Sequence, residues 1–243
     1  MSTQMNLTLA TFTPGEAERI GPLATNMQRD WRRRGFIPPS PFDCFALAEM
    51  QALKALADRG IGPQVAKDVS SICAMGIVWS ALGWREAIDG DLSRLLDDLP
   101  DDVKDAQAQS VREALDAIAE RQGQAITEPT DPHWGYKTRR VKNALWKSRG
   151  FPRVLPGRFF IWWADGSHLW HTSLEQAFDD LSSSDPRLAG PALVLDLDAL
   201  GSTLLDRAGR PLVHVEIYDE ESETETAIDC RDDKPGPQME PTS

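Results

Sequence analysis

Thr25, Asn26, Gln28, Arg29, Arg32, Arg33 and Arg34 form a dense run of side chains able to hydrogen-bond the base edges and phosphates of DNA. Arginine pairs with guanine, and asparagine or glutamine with adenine, through two parallel hydrogen bonds in the major groove. Consecutive arginines also neutralise phosphates, which makes binding salt-dependent. Trp31, inside the run, is the apolar anchor that would pack such a segment onto a neighbour. A second cluster, Lys137, Arg139, Arg140 and Lys142, is interleaved with Trp134, Tyr136 and Trp146. Cations set among rings can grip phosphates while the rings stack or pack. The same segment also fits an ordinary helix with Val141, Leu145 and Trp146 inward, so this patch is an auxiliary contact for DNA or for an acidic partner.

Residues suited to catalysis are not arranged for it. His168 and His171 are three apart in a strand-like segment and so point to opposite faces. Asp196 and Asp198 lie near a strand end, with no phosphate-cradling glycine loop, nucleophile elbow or zinc-binding His pair beside them. An aspartate capping a helix accounts for them more simply. Cys73 sits on an apolar helical pattern and reads as core. The expectation is a protein that is not an enzyme and that uses no metal or cofactor.

The elements holding the first cluster are marked by capping chemistry. Thr13-Pro14-Gly15-Glu16 is a capping box with proline at the first helical position, opening a short helix to about Ile20. Gly21-Pro22 ends it, and a second short helix fits Ala24 to Arg34, stopped by Gly35. Two short helices joined by a tight turn make a helix-turn-helix unit, with Thr25, Asn26, Gln28 and Arg29 on the leading half of its second helix. Pro38-Pro39-Ser40-Pro41 must then be extended.

At these residues the sequence resembles the DNA-binding domain of the MerR family and related excisionase-type winged helices. The match comprises Phe12-Thr13, Ala17, Gly21 and the pattern Arg29-x-Trp31-x-Arg33-x-Gly35-Phe36-Ile37, within residues 10–60. The resemblance implies sequence-specific binding of double-stranded DNA as a homodimer, with phosphate or base contacts at Arg29 and Arg33. The family's next feature is a basic wing, but residues 38–43 carry no Arg or Tyr, so the wing is shortened or absent. Ala48-x-x-x-Ala52-Leu53-x-x-Leu56-x-x-x-Gly60-Ile61 resembles the helix and turn that follow.

Further along, apolar residues from Phe45 to Leu56 recur at helical steps, and Gly60 closes that helix. The segment from Pro63 to Leu82 is apolar around much of its circumference, which places it in a core or a subunit interface. A helix from Asp101 to Gln122 carries one narrow stripe, Val111, Leu115 and Ile118, and so requires a partner. After a break at Ala125 to Gly135 the period becomes strand-like: Arg158 to Trp163, a hairpin turn at Asp165-Gly166, and a return strand through His168 to His171. Ser173 with Gln176 opens a short helix, Ala192 to Leu197 is a strand, and Leu212 to Ile217 is a final strand. Asp198 to Asp206 fits a helix better than the first arm of a hairpin.

The expected fold is α+β, with a mostly helical N-terminal half containing a winged-helix-like unit and a small α+β C-terminal domain. The expected organisation is a DNA-binding domain at 10–62, a helical dimerisation region at 63–124, a linker at 125–135, the α+β domain at 136–218 and an acidic disordered tail at 219–243. The aromatic C-terminal domain is expected to hold a small-molecule effector or a protein partner. The rival expectation is a protein-interaction adaptor, or an architectural DNA-binder resembling excisionases.

The whole chain has 243 residues and a formal charge of −12. That acidity argues against indiscriminate coating of nucleic acid or membrane, but it is uneven. Residues 1–80 carry 8 basic and 7 acidic side chains, and 131–170 carry 8 and 2, whereas 81–130 carry 5 and 12 and 171–243 carry 5 and 17. Cys44, Cys73 and Cys230 are far apart and odd in number. With no leader-like N-terminus and no long apolar run, they lead to the expectation of a cytoplasmic protein.

Overall fold

A computed structural model describes residues 3–21, 23–97, 99–122, 131–152, 154–179 and 181–219. Residues 125–130 of the expected linker and the expected tail from 220 onward lie outside them, as does Pro22. The described residues form an α+β fold with two three-stranded sheets.

The first element is a strand, β1 (Thr3–Leu9), where no strand was expected. Met5, Leu7 and Leu9 alternate with exposed Asn6 and Thr8 and pack on the core, the period of a half-buried strand. Next comes α1 (Pro14–Ile20), whose capping box forms as expected: the Glu16 N–H donates to Thr13 Oγ1 at 3.3 Å, and the Thr13 N–H donates to Glu16 Oε2 at 2.8 Å. Ala17 and Ile20 are buried. Then α2 (Thr25–Arg33) ends just before Gly35, whose φ of 72° is the left-handed value that suits glycine. Phe12 and Phe42 exchange backbone hydrogen bonds of 2.7 and 2.9 Å, so residues 38–41 return as a short loop beside the two helices.

Two longer helices follow, α3 (Cys44–Ala57) and α4 (Pro63–Ala81). Asp43 caps α3, and Pro63 occupies the first helical position of α4. The all-round apolar character of α4 is used inside the chain: it packs on α3 and on a helix near the C-terminus. After β2 (Ile88–Asp89) comes α5 (Asp101–Gln122), with Asp101 and Asp102 in its first turn, near the positive end of the helix dipole. On α5, Val103 is exposed and Ala108 is buried.

The remaining elements are α6 (Trp134–Ser148), β3 (Phe159–Trp163), β4 (His168–His171), α7 (Leu174–Asp179), β5 (Ala192–Asp196), α8 (Leu197–Ala208) and β6 (Val213–Asp219). The segment 198–206 is helical because the Asp196 carboxylate accepts from the Asp198 and Ala199 N–H groups at 3.1 and 3.2 Å, and Gly209 closes the helix in the left-handed region. One sheet has the order β4-β3-β5, all antiparallel neighbours. The other has the order β1-β6-β2, with β1 antiparallel and β2 parallel to β6.

The final strand therefore leaves its neighbours in sequence and pairs with the first. One apolar cluster contains Phe12, Leu47, Ile77, Trp146, Phe160, Leu204 and Val215, so it draws on both sides of the expected linker. The close crossing of α8 over α4 depends on Gly201. A Cβ there would lie 2.8 Å from both the Ala81 nitrogen and the Ile77 carbonyl oxygen. Among the described residues, no helix is long and apolar enough to cross a membrane.

Candidate nucleic-acid interface

Helix α2 is held by its inward face. Trp31 is buried, and so are Phe36 and Ile37 just beyond the helix. Gln28, three residues before Trp31, is fully buried as well. Its Nε2 donates to the carbonyls of Leu23 at 2.8 Å and Pro14 at 3.1 Å, tying the start of α1 to the turn before α2. Gln28 is thus a structural clasp and not a base contact, which corrects the expectation drawn from residue type. Spacing carried the signal, since positions i and i+3 share one helix face.

The outward face carries Asn26, Arg29 and Arg33, all exposed. Their i, i+3, i+7 spacing aligns them along one stripe. Arg29 forms no hydrogen bond or ion pair with any described residue, so its five N–H donors are open. Arg33 pairs with Asp30 at 2.7 Å while its side chain stays 80% exposed. Arg34 lies 3.6 Å from the same carboxylate, with its guanidinium over the Phe36 ring at 4.9 Å. Exposed pairs of this kind contribute about 0–1 kcal/mol, so a phosphate can compete for these arginines. The Asn26 Oδ1 accepts from the Met27 N–H at 2.8 Å, leaving its amide donors outward.

The other two members of the cluster are turned away. The Thr25 hydroxyl donates to Glu18 on α1. Arg32 is half-buried, donating to Ser40 Oγ at 3.2 Å and to the Gln28 carbonyl at 3.4 Å, with its guanidinium 5.9 Å from the centre of the Phe42 ring. It holds the 38–42 loop onto α2. That loop carries no Lys or Arg. Seven candidates thus reduce to Asn26, Arg29 and Arg33, with Arg34 at the margin.

The second basic cluster does not make a common surface. Lys137 pairs with Asp131 at 2.8 Å and is only 12% exposed along its side chain. Arg140 donates to the Leu95 carbonyl at 3.0 Å. Lys142 packs its ammonium over the Trp79 ring, 5.0 Å from the centre. Burial pushes that ammonium down to about 8, opposed by the charge of Asp198. Only Arg139 of the four is exposed: Lys137 pairs with the segment just before α6, and Arg140 and Lys142 reach other parts of the molecule. The helical alternative for this segment is the one seen: Val141, Leu145 and Trp146 are buried.

Among the described residues, no group of three His, Cys, Asp or Glu side chains is placed to hold a metal ion. Cys44 and Cys73 are buried free thiols, and burial raises both well above the usual thiol range. His168 stacks against Phe160, with ring centres 5.6 Å apart, and His171 Nδ1 accepts from the Ser173 N–H at 3.2 Å. No protein-family model, curated protein or solved structure matches this chain.

Proposed function

We propose that the chain is a sequence-specific regulator of transcription that lays the Asn26-Arg29-Arg33 face of α2 in the major groove of double-stranded DNA and binds as a homodimer. One observation carries the reading: α2 is locked from behind by Gln28 and Trp31 while its solvent stripe offers an open guanidinium, a weakly paired guanidinium and an amide. Those groups suit base edges and phosphates. The resemblance of residues 10–60 to the MerR family points the same way, with the 38–42 loop replacing the wing. A dimer would set two such helices at half-sites one helical repeat apart. Selecting bound fragments from random duplex DNA tests the reading. Wild-type protein should enrich a two-fold symmetric sequence, and the Arg29→Ala, Arg33→Ala double variant should not.

The adaptor reading is favoured by a different observation. A cavity of about 720 Å³ beside β5 is lined by Ile61, Val65, Trp162 and Leu193, and Val65 at its rim is 65% exposed. Exposed apolar surface of this kind suits a protein partner. A selection that enriches no DNA sequence favours this second reading.

A further inference from the structure

A cavity of about 450 Å³ opens between α4, α6 and the start of α8, close to the 156–158 loop. Its walls include Trp79, Ser80, Trp84, Lys142, Arg158 and Asp198, drawn from four separate stretches of the sequence. Two of the three charged groups are already engaged. Asp198 accepts the Ser80 hydroxyl at 2.6 Å and lies 4.0 Å from Arg158 Nε, while Arg158 makes its main ion pair with Asp196 at 2.7 Å. Lys142 is the exception. Its ammonium rests on the Trp79 ring and forms neither a hydrogen bond nor an ion pair with any described residue.

A partly buried ammonium normally finds acceptors for its three N–H donors, because shielding an unpaired charge from water is costly. The face of an aromatic ring offsets part of that cost but accepts no strong hydrogen bond. Lys142 lines the cavity, and so does Trp84, 51% exposed despite its size. A partly buried, unpaired cation lining the same cavity as an exposed indole is complementary to a small anion with a flat apolar body. We propose that this cavity is a binding site for an organic carboxylate, whose charge pairs with Lys142 and whose apolar part covers Trp84. The site goes beyond the DNA-binding reading and is independent of it.

Calorimetric titration of the full chain at pH 7, without DNA, tests the site. The probes are acetate, benzoate and 2-naphthoate, each set against its neutral amide. The carboxylates should bind about tenfold or more tightly than the amides, the scale of a charge-assisted hydrogen bond. Affinity should rise from acetate to naphthoate as Trp84 is covered. Lys142→Met should erase the preference for the acid, Lys142→Arg should retain it, and Trp84→Ala should weaken naphthoate more than acetate. The proposal is overturned if no carboxylate binds more tightly than its amide, or if Lys142→Met, folded by circular dichroism, binds as the wild type does. Because no DNA is present, either failure leaves the regulator reading standing.

Discussion

Glu49 sits on α3 in a cavity it shares with Asp43, Arg149 and Ser71. Burial pushes its carboxyl up to about 7 from an ordinary 4.5, with Lys67 working against the shift and Asp43 adding to it. The folded chain therefore holds this proton over a range where the unfolded chain has released it. The resulting stability is fully present below about 4.5 and is lost as the pH rises through about 7. Glu49→Gln should flatten the fall in stability between pH 5 and 7.5 in urea titrations; an unchanged slope would remove Glu49 as its source. Gln28 makes a second residue-scale prediction. Gln28→Ala strips the partner from the Leu23 and Pro14 carbonyls and leaves a cavity, so it should cost about 2 kcal/mol in stability. A base-contacting glutamine would instead lose DNA affinity at constant stability. Its inward position was legible from its three-residue spacing to Trp31, although its acceptors were not. They depend on how α1 meets the turn before α2.

Helix boundaries were the most legible features, because capping is local chemistry. The Thr13-Glu16 box, the proline opening α4 and the glycine after α2 all stand where the sequence places them. The Ser173 cap of α7 forms too, with the Gln176 N–H donating to Ser173 Oγ at 3.4 Å. Strand β1 was illegible for the opposite reason: its partner is β6, and Leu7 stands opposite Val215. Its Met5-x-Leu7-x-Leu9 alternation is too short to decide a strand without that partner. Gly201 was equally silent in the sequence, since its need arises only where α8 crosses α4. Gly201→Ala should cost about 1–3 kcal/mol, the range for overpacking, because the obstructing atoms are backbone and cannot swing aside. Denaturant midpoints check this, and a variant as stable as the wild type would mean that the two helices separate without cost.

At the scale of the whole molecule, charge and topology bear on function together. The net charge of −12 weakens indiscriminate attraction to DNA, so a DNA-binding role must rest on the few cations that packing leaves free. Sequence separates the chain into a basic α2, a basic α6 and acidic stretches, but it cannot tell which cations are already engaged. Packing does so: Lys137 is tied to Asp131 and Arg140 to the Leu95 carbonyl, Lys142 lines a cavity, and Arg29 and Arg33 remain on the surface. The cavity around Lys142 was invisible in the sequence because α4, α6 and α8 build it jointly. The central claim is that the α2 face carries DNA affinity, and it is tested most directly by a salt titration on a selected duplex. Wild-type affinity should fall steeply with salt. Arg29→Ala with Arg33→Ala should bind more weakly, with the log–log slope reduced by about 1–2, one phosphate for each arginine at most, and with unchanged stability. Equal affinity and equal slope in the two proteins would contradict the account.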